Sequence, residues 1–259
     1  MTLMPSQSPV LPSVYEPVYL ESTENLAQAA LDLAKAGAPE GTLVWTTNQA
    51  TGIGRLENEW ESPSEGLYAA VVLRPEFDWK DSGQISLVGL VSLGTAIATL
   101  VEPMTELRYR WPNDLLVGGT KIAGLWLRED RSAGWLTLVL ACNVGERPSA
   151  VFDGGCLREE GGNPDIGPAE LLEQFSRQFL SWLNVWAEDG MAPILREFSS
   201  RSDSAGTPVA LVIEKDEKLA GSLDGLDSSG RLQLDLNGKR RTISIRRFFG
   251  LPQLNGEES

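Results

Sequence analysis

The chain has 259 residues, enough to bury one sizeable core with room for a small second module. Its 42% hydrophobic and 22% charged residues are the proportions of an ordinary globular protein. A net charge of -14 argues against a general nucleic-acid binder, which needs basic surface to neutralise phosphates. There is no histidine, and Cys142 and Cys156 form no CxxC pattern, so no metal-ligand cluster is recognisable and a reducing cytoplasm fits best.

In chain order, MTLMPSQSPV lacks a basic start and a continuous apolar segment, so no signal peptide is expected. Four prolines by position 17 make the first residues an irregular arm. A short strand ends near Tyr19-Leu20, and Ser22-Thr23 is the expected N-cap of a helix running to about Lys35. The β-formers over 42–46 predict a strand. The glycine-bearing stretch 49–66 that follows is too long for a passive connection, and loops of that length are usually functional or disordered.

Residues 67–73 read as a buried strand, and 77–84 as a polar connection with a helix start around Ser82. The uncharged run 85–101 is interrupted by Ser86, Gly89, Ser92, Gly94 and Thr95 and falls short of a membrane span. It predicts a buried helix whose small residues allow close packing on a sheet, and no membrane partner. Residues 107–111 lead into two apolar runs, 114–117 and 122–127, which meet at Gly118-Gly119-Thr120 in a tight hairpin signal.

Another apolar strand is expected over 135–144, and 145–167 shows no periodicity. Pro168 opens an amphipathic helix with Leu171, Leu172, Phe175, Phe179, Trp182, Leu183 and Trp186 at three- and four-residue steps, stopping at Gly190. A composition break, SSRSDSAG over 199–206, reads as a linker. Beyond it 208–214, 219–226, 231–236 and 242–245 are short strands between charged or glycine turns, the pattern of a small barrel.

The hairpin carries the chemistry. It brings Asn113 and Asp114 on one strand near Lys121 on the other, because cross-strand neighbours lie within side-chain reach. A lysine set among apolar residues there must face an anion or snorkel to water. Set against a surface lysine beside a turn, the sharper reading gains from the second stretch, QATGIGRLENEWESPSEGLYAAVVL over 49–73.

Gln49, Gly52, Gly54, Arg55, Trp60, Ser62, Pro63, Leu67 and Tyr68, then Trp111, Pro112, Asn113, Asp114, Lys121, Ala123 and Gly124, resemble in that order the two signature motifs of the biotin protein ligases. Weaker similarity runs from about Tyr19 to the C-terminus. The resemblance implies an α+β fold: a mixed sheet flanked by helices, the class II synthetase-like core of biotin and lipoate ligases. It implies a catalytic domain over 1–200 and a small SH3-like C-terminal β-barrel over 205–254. The N-terminal DNA-binding domain of repressor-type members has no place in this reading, so no operator binding is expected.

The activity implied is ATP-dependent ligation in two steps, through biotinyl-5′-AMP, onto a lysine of a biotin carboxyl carrier domain, with biotin, ATP and Mg2+ taking part. Lys121 and Arg55 are then the catalytic residues. Ser22, Thr23, Gln49, Ile53, Gly54, Arg55 and Lys121 would hold biotin or its adenylate. Trp60, Asn113 and Asn143 would meet ATP, and Asp114 the metal. Ser22-Thr23 could equally be a plain helix cap, and Trp60 ordinary core. Family members associate through sheet edges or the barrel in different ways, which leaves a homodimer open.

The chain also departs from the family. GIGRLENEWE loses two arginines and one glycine, and Glu24 stands where a polar amide is usual. Over 51–66, Arg55 faces Glu57, Glu59, Glu61 and Glu65, a net of -3 that should repel a triphosphate unless something compensates. The strand Val139-Leu140-Ala141-Cys142-Asn143 has lost the family's glycines, and 171–195 resembles a less studied biotin/lipoate ligase-like group. Two alternatives follow: a binding protein that kept the pocket and lost turnover, and a lipoate or octanoate enzyme, disfavoured because those use a histidine.

Overall fold

In the computed structural model the described residues are 8–149, 154–252 and 254; the part of the expected arm over 1–7 lies outside them. Strand β1 (Glu16–Tyr19) leads through helix α1 (Leu26–Lys35) to β2 (Thr42–Thr46), which pairs with β1 in parallel. The cap of α1 is not Ser22-Thr23. Asn25 accepts from the Gln28 N–H at 3.0 Å. Asparagine satisfies an orphan donor of the first turn, which frees the upstream pair for another role.

The glycine loop is not structureless. Strand β3 (Gly52–Ile53) pairs antiparallel with β4 (Glu59–Trp60) to form a small hairpin of its own. Next come β5 (Leu67–Leu73) and the buried helix α2 (Gln84–Ala98), then β6 (Leu107–Arg110), β7 (Asp114–Val117), β8 (Thr120–Asp130) and β9 (Trp135–Cys142). The seven strands of the main sheet lie in the order β1-β2-β5-β9-β8-β7-β6, all but the β1-β2 pair antiparallel. Helix α2 covers one face. A Cβ at Gly89 would come within 2.7 Å of Leu138 Cδ2 and 2.9 Å of Leu125 Cδ2, so the small residues do permit the close approach expected of them.

A four-residue helix α3 (Leu157–Glu160) interrupts the segment without periodicity, and α4 (Pro168–Asp189) follows as expected. The chain then continues into a helix that the sequence reading did not foresee, α5 (Met191–Ser200). Its Pro193 lies in the first turn, where no intrahelical N–H is required, so proline is no obstacle.

The C-terminal module is an antiparallel sheet of β10 (Pro208–Glu214), β11 (Glu217–Leu226), β12 (Leu232–Leu236) and β13 (Lys239–Ile243), closed by a short helix α6 (Ile245–Phe249). The last strand starts three residues earlier than 242, because Asn237 (φ 56°) and Gly238 (φ 85°) make the tight turn that this dipeptide favours.

This module is riveted to the main sheet. Arg246 of α6, 2% exposed, donates to Glu129 Oε1 and Oε2 at 2.8 and 2.9 Å, to the Trp79 carbonyl at 2.9 Å and to Ser82 Oγ. The Trp111 indole N–H donates to the Gly230 carbonyl at 2.9 Å. Among the described residues no helix is long and apolar enough to cross a membrane.

Candidate active site

Lys121 does not sit in the turn. Strand β8 starts at Thr120, so Lys121 is its second residue, paired with Leu116 beside a bulge at Ile122 of the same strand. The bulge turns its side chain toward Asp114, whose Oδ1 lies 2.7 Å from Lys121 Nζ. The side chains keep 33% and 17% of their exposure, so the pair is partly shielded and still open to an incoming ligand. The ammonium also lies 5.2 Å from the centre of the Trp60 ring.

Gly124 is the floor beneath them. A Cβ there would lie 3.3 Å from Trp60 Cζ3 and 3.7 Å from Lys121 Nζ. The register places Asp114, Gly124, Ala141, Tyr68 and Thr46 in one row across five strands. Directly paired residues share a face, so the row runs from the charged end over two residues with almost no side chain. It lies on the face opposite α2, because Leu125, the neighbour of Gly124, points to α2.

Gln49 is buried, and its amide is used twice. Oε1 accepts from the Leu26 N–H at 3.1 Å and Nε2 donates to Ser62 Oγ at 2.9 Å. Ser62 in turn donates to the Trp60 carbonyl at 3.3 Å, so Gln49, the start of α1 and the Trp60 arm form one network. Thr23 bridges Gln49 in parallel, its N–H donating to the Asn48 carbonyl at 3.1 Å, while Ser22 is exposed.

Asn143 is buried with Nδ2 on the Gly155 carbonyl at 3.1 Å, and its Oδ1 has no partner. The indole N–H groups of Trp60 and Trp126 are likewise buried without acceptors. Buried unpaired polar atoms are costly, and two of them stand by the Gly124 floor: the Trp60 indole above it and the Trp126 indole two residues on along the same face. Asn113 is half-buried behind the cis Trp111-Pro112 peptide, its carbonyl accepting from the Leu125 N–H at 2.9 Å.

The loop arginine takes an unforeseen place. Arg55 donates to the carbonyl oxygens of Ile213 at 2.8 Å, Phe248 at 3.4 Å and Val212, with its guanidinium carbon 4.0 Å from the Phe248 ring centre. Burial lowers its pKa, and the nearby Asp114 charge pushes it back up. Arg55 is thus held on the C-terminal module, near enough to Asp114 to feel its charge. Ile53 is 40% exposed, and the Gly54 N–H donates to the Asn58 carbonyl at 2.8 Å.

The tip of the loop is strained. Leu56 (φ 58°) and Glu57 (φ 62°) both adopt the left-handed region, a conformation that costs about 1–3 kcal/mol per residue and persists only where the surroundings enforce it. The surroundings also answer the charge problem. Glu57 pairs with Lys215 at 2.6 Å, Glu65 pairs with Arg158, and Glu61 accepts from the Ser149 N–H and O–H at 2.7 Å each. Those three carboxylates are therefore tied to partners, which weakens the repulsion expected from composition.

The structure brings together Lys121, Asp114, Trp60 and Arg55, and links Gln49 and Thr23 to them through Ser62. The sequence reading did not single out Ser62, Trp126 or Phe248 as site residues. Ser62 was visible inside the motif Trp60-x-Ser62-Pro63. Phe248 lies 193 positions from Arg55 and carries no local signal.

The sequence profile of the biotin/lipoate A/B protein ligase family matches residues 11–200. The chain is 29% identical over 242 residues to a biotin--[acetyl-CoA-carboxylase] ligase of Paracoccus denitrificans, covering 89% of this chain and 99% of that one. It is 31% identical over 227 residues to the bifunctional ligase/repressor BirA of Bacillus spizizenii, covering 84% and 69%. In fold it is similar to a biotin protein ligase-like protein of unknown function from a Silicibacter species, with a TM-score of 0.75 at 20% identity over 95% of this chain and 100% of that one. The Aquifex aeolicus biotin protein ligase, solved with biotin and ATP, has a TM-score of 0.74 at 24% identity over 88% and 95%.

Proposed function

The chain belongs to the biotin/lipoate A/B protein ligase family, and from that premise we propose that it is an ATP-dependent biotin protein ligase. In the first step a carboxylate oxygen of biotin attacks the α-phosphorus of ATP. The new P–O bond gives biotinyl-5′-AMP, and the bond to pyrophosphate breaks. In the second step the amine of a carrier-domain lysine attacks the acyl carbon, AMP leaves with the bonding pair, and the amine gives up its proton.

The observation that carries this reading is the Lys121 ammonium, 2.7 Å from Asp114, above the bare Gly124 floor and beside the Trp60 ring. One amine placed there draws the acid and the α-phosphate together and offsets the charge gathering on phosphate oxygens. Trp60 offers an adenine a stacking face. The unpaired Trp126 indole N–H and Asn143 Oδ1 are a donor and an acceptor for ligand groups. In this reading Gln49 and Thr23 would meet biotin.

Among the described residues no group of three or more acidic, cysteine or histidine side chains could hold a metal ion. Magnesium would arrive with the triphosphate, Asp114 is the residue that would hold it, and it would shield the phosphate charge. The test is transfer. Labelled biotin, ATP and magnesium with a biotin carboxyl carrier domain should put label on the carrier lysine, and label no greater than with Lys121→Ala would defeat the reading.

A further inference from the structure

The loop arginine and the C-terminal module belong to one device. The Arg55 fork is spent on carbonyls of β10 and α6 and its face on Phe248. Phe248 also packs edge-on to Trp111 with ring centres 5.2 Å apart, and Trp111 opens the stretch that leads to Asp114. At the tip of the loop, Glu57 reaches Lys215 in the turn between β10 and β11. One small module therefore holds both halves of the site, the glycine loop and the strand of Asp114.

We propose that Phe248 is a positioning residue for the acid-activating reaction: the C-terminal module holds Arg55 beside Asp114 and keeps the loop folded over the Lys121 amine. This rests on the ligase reading for its catalytic consequence, while the holding itself is independent of it. The reasoning is physical. Two adjacent left-handed residues, Leu56 and Glu57, persist only where neighbours on both sides enforce them. The neighbours are Arg55, anchored on three carbonyls and a ring, and the Glu57-Lys215 pair.

A planar guanidinium suits this anchorage, since it stacks on a ring and donates in a fixed fork, neither of which an ammonium does. Without the ring face the fork loses its register, the turn relaxes, and Arg55 is no longer delivered to the phosphate end of the site. The module would then act on catalysis without touching a reacting atom.

The experiment compares Phe248→Leu, Phe248→Trp, Arg55→Lys and the double variant Arg55→Lys/Phe248→Leu in the full chain. Amide exchange over 54–58 is the first readout, because the Gly54 and Asn58 N–H groups are bonded inside the turn. Exchange there should rise about tenfold in Phe248→Leu and in Arg55→Lys, return toward wild type in Phe248→Trp, and rise no further in the double variant. In biotin-dependent pyrophosphate exchange, Phe248→Leu should raise KM for ATP about tenfold with KM for biotin within twofold, and Phe248→Trp should restore it.

Unchanged loop exchange in Phe248→Leu overturns the proposal, as does additivity in the double variant. Should Phe248→Leu fail to fold, Arg55→Lys alone decides, since the ring stays in place while the stacked face and the fork are both lost. Absence of pyrophosphate exchange in the wild type, with loop exchange behaving as expected, would refute the ligase reading and leave the holding role standing.

Discussion

Replacing Lys121 by alanine separates catalysis from stability more sharply than any other single change. The ion pair with Asp114 is 2.7 Å long, but its side chains retain 33% and 17% of their exposure. Solvent screening reduces such a pair to about 0.2–1 kcal/mol of folding stability. At roughly 2–4 °C per kcal/mol for a chain of this order, melting should fall by no more than about 4 °C.

The catalytic effect should be far larger. A preorganised charged donor facing charge that develops in the transition state is worth about 2.7–4 kcal/mol, a factor of about a hundred to a thousand in kcat. Pyrophosphate exchange driven by biotin and ATP measures the first step directly, and a melting curve on the same sample controls for folding. Loss of kcat below tenfold, or a loss that tracks a large fall in melting temperature, would refute the assignment of this amine to the reacting centre.

Two further outcomes follow from the structure. Arg246→Leu leaves Glu129, with 0% side-chain exposure, buried without its main partner, and breaking such a pair costs about 3–5 kcal/mol; at the conversion above, melting should fall by about 6–20 °C, and a fall under about 2 °C would contradict the rivet. Gly124→Ala introduces a methyl 3.3 Å from Trp60 and 3.7 Å from Lys121, so KM for ATP should rise several-fold while melting stays within about 3 °C; wild-type kinetics would show that the floor is not ligand-facing.

The expectations that held were those resting on local rules. The apolar run over 67–73 became a central strand buried along its whole length, and Pro168 and Gly190 bounded a helix as their backbone preferences require. The Gly118-Gly119 pair, with φ of 58° and 86°, made the turn that its sequence announces. The errors are equally local in origin. Asn25 competed with Ser22-Thr23 for the cap and stood closer to the first helical residue, and the Asn237-Gly238 turn fixed the start of β13. Pro193 hid α5 because a proline in a first turn looks like a break until the preceding glycine has ended one helix and begun the next.

The site divides in the same way. That Lys121 would lie near Asp114 was readable, because a two-glycine turn keeps the two strands within side-chain reach, whereas the bulge that sets their register was not. What the sequence could not supply was everything that depends on distant segments sharing one volume. The acidic loop looked repulsive by composition, yet Glu57, Glu61 and Glu65 find Lys215, Ser149 and Arg158 only once the chain has folded. Composition sums charges without regard to position, whereas the energy of each depends on its nearest neighbour. By itself, then, the sequence determined the strands of the main sheet, the main helices and the lysine hairpin, because short-range geometry and periodicity govern them. Tertiary structure alone decided where Arg55 points, which module holds it and which polar atoms are left for a ligand, because those depend on contacts between segments whose separation along the chain carries no local signature.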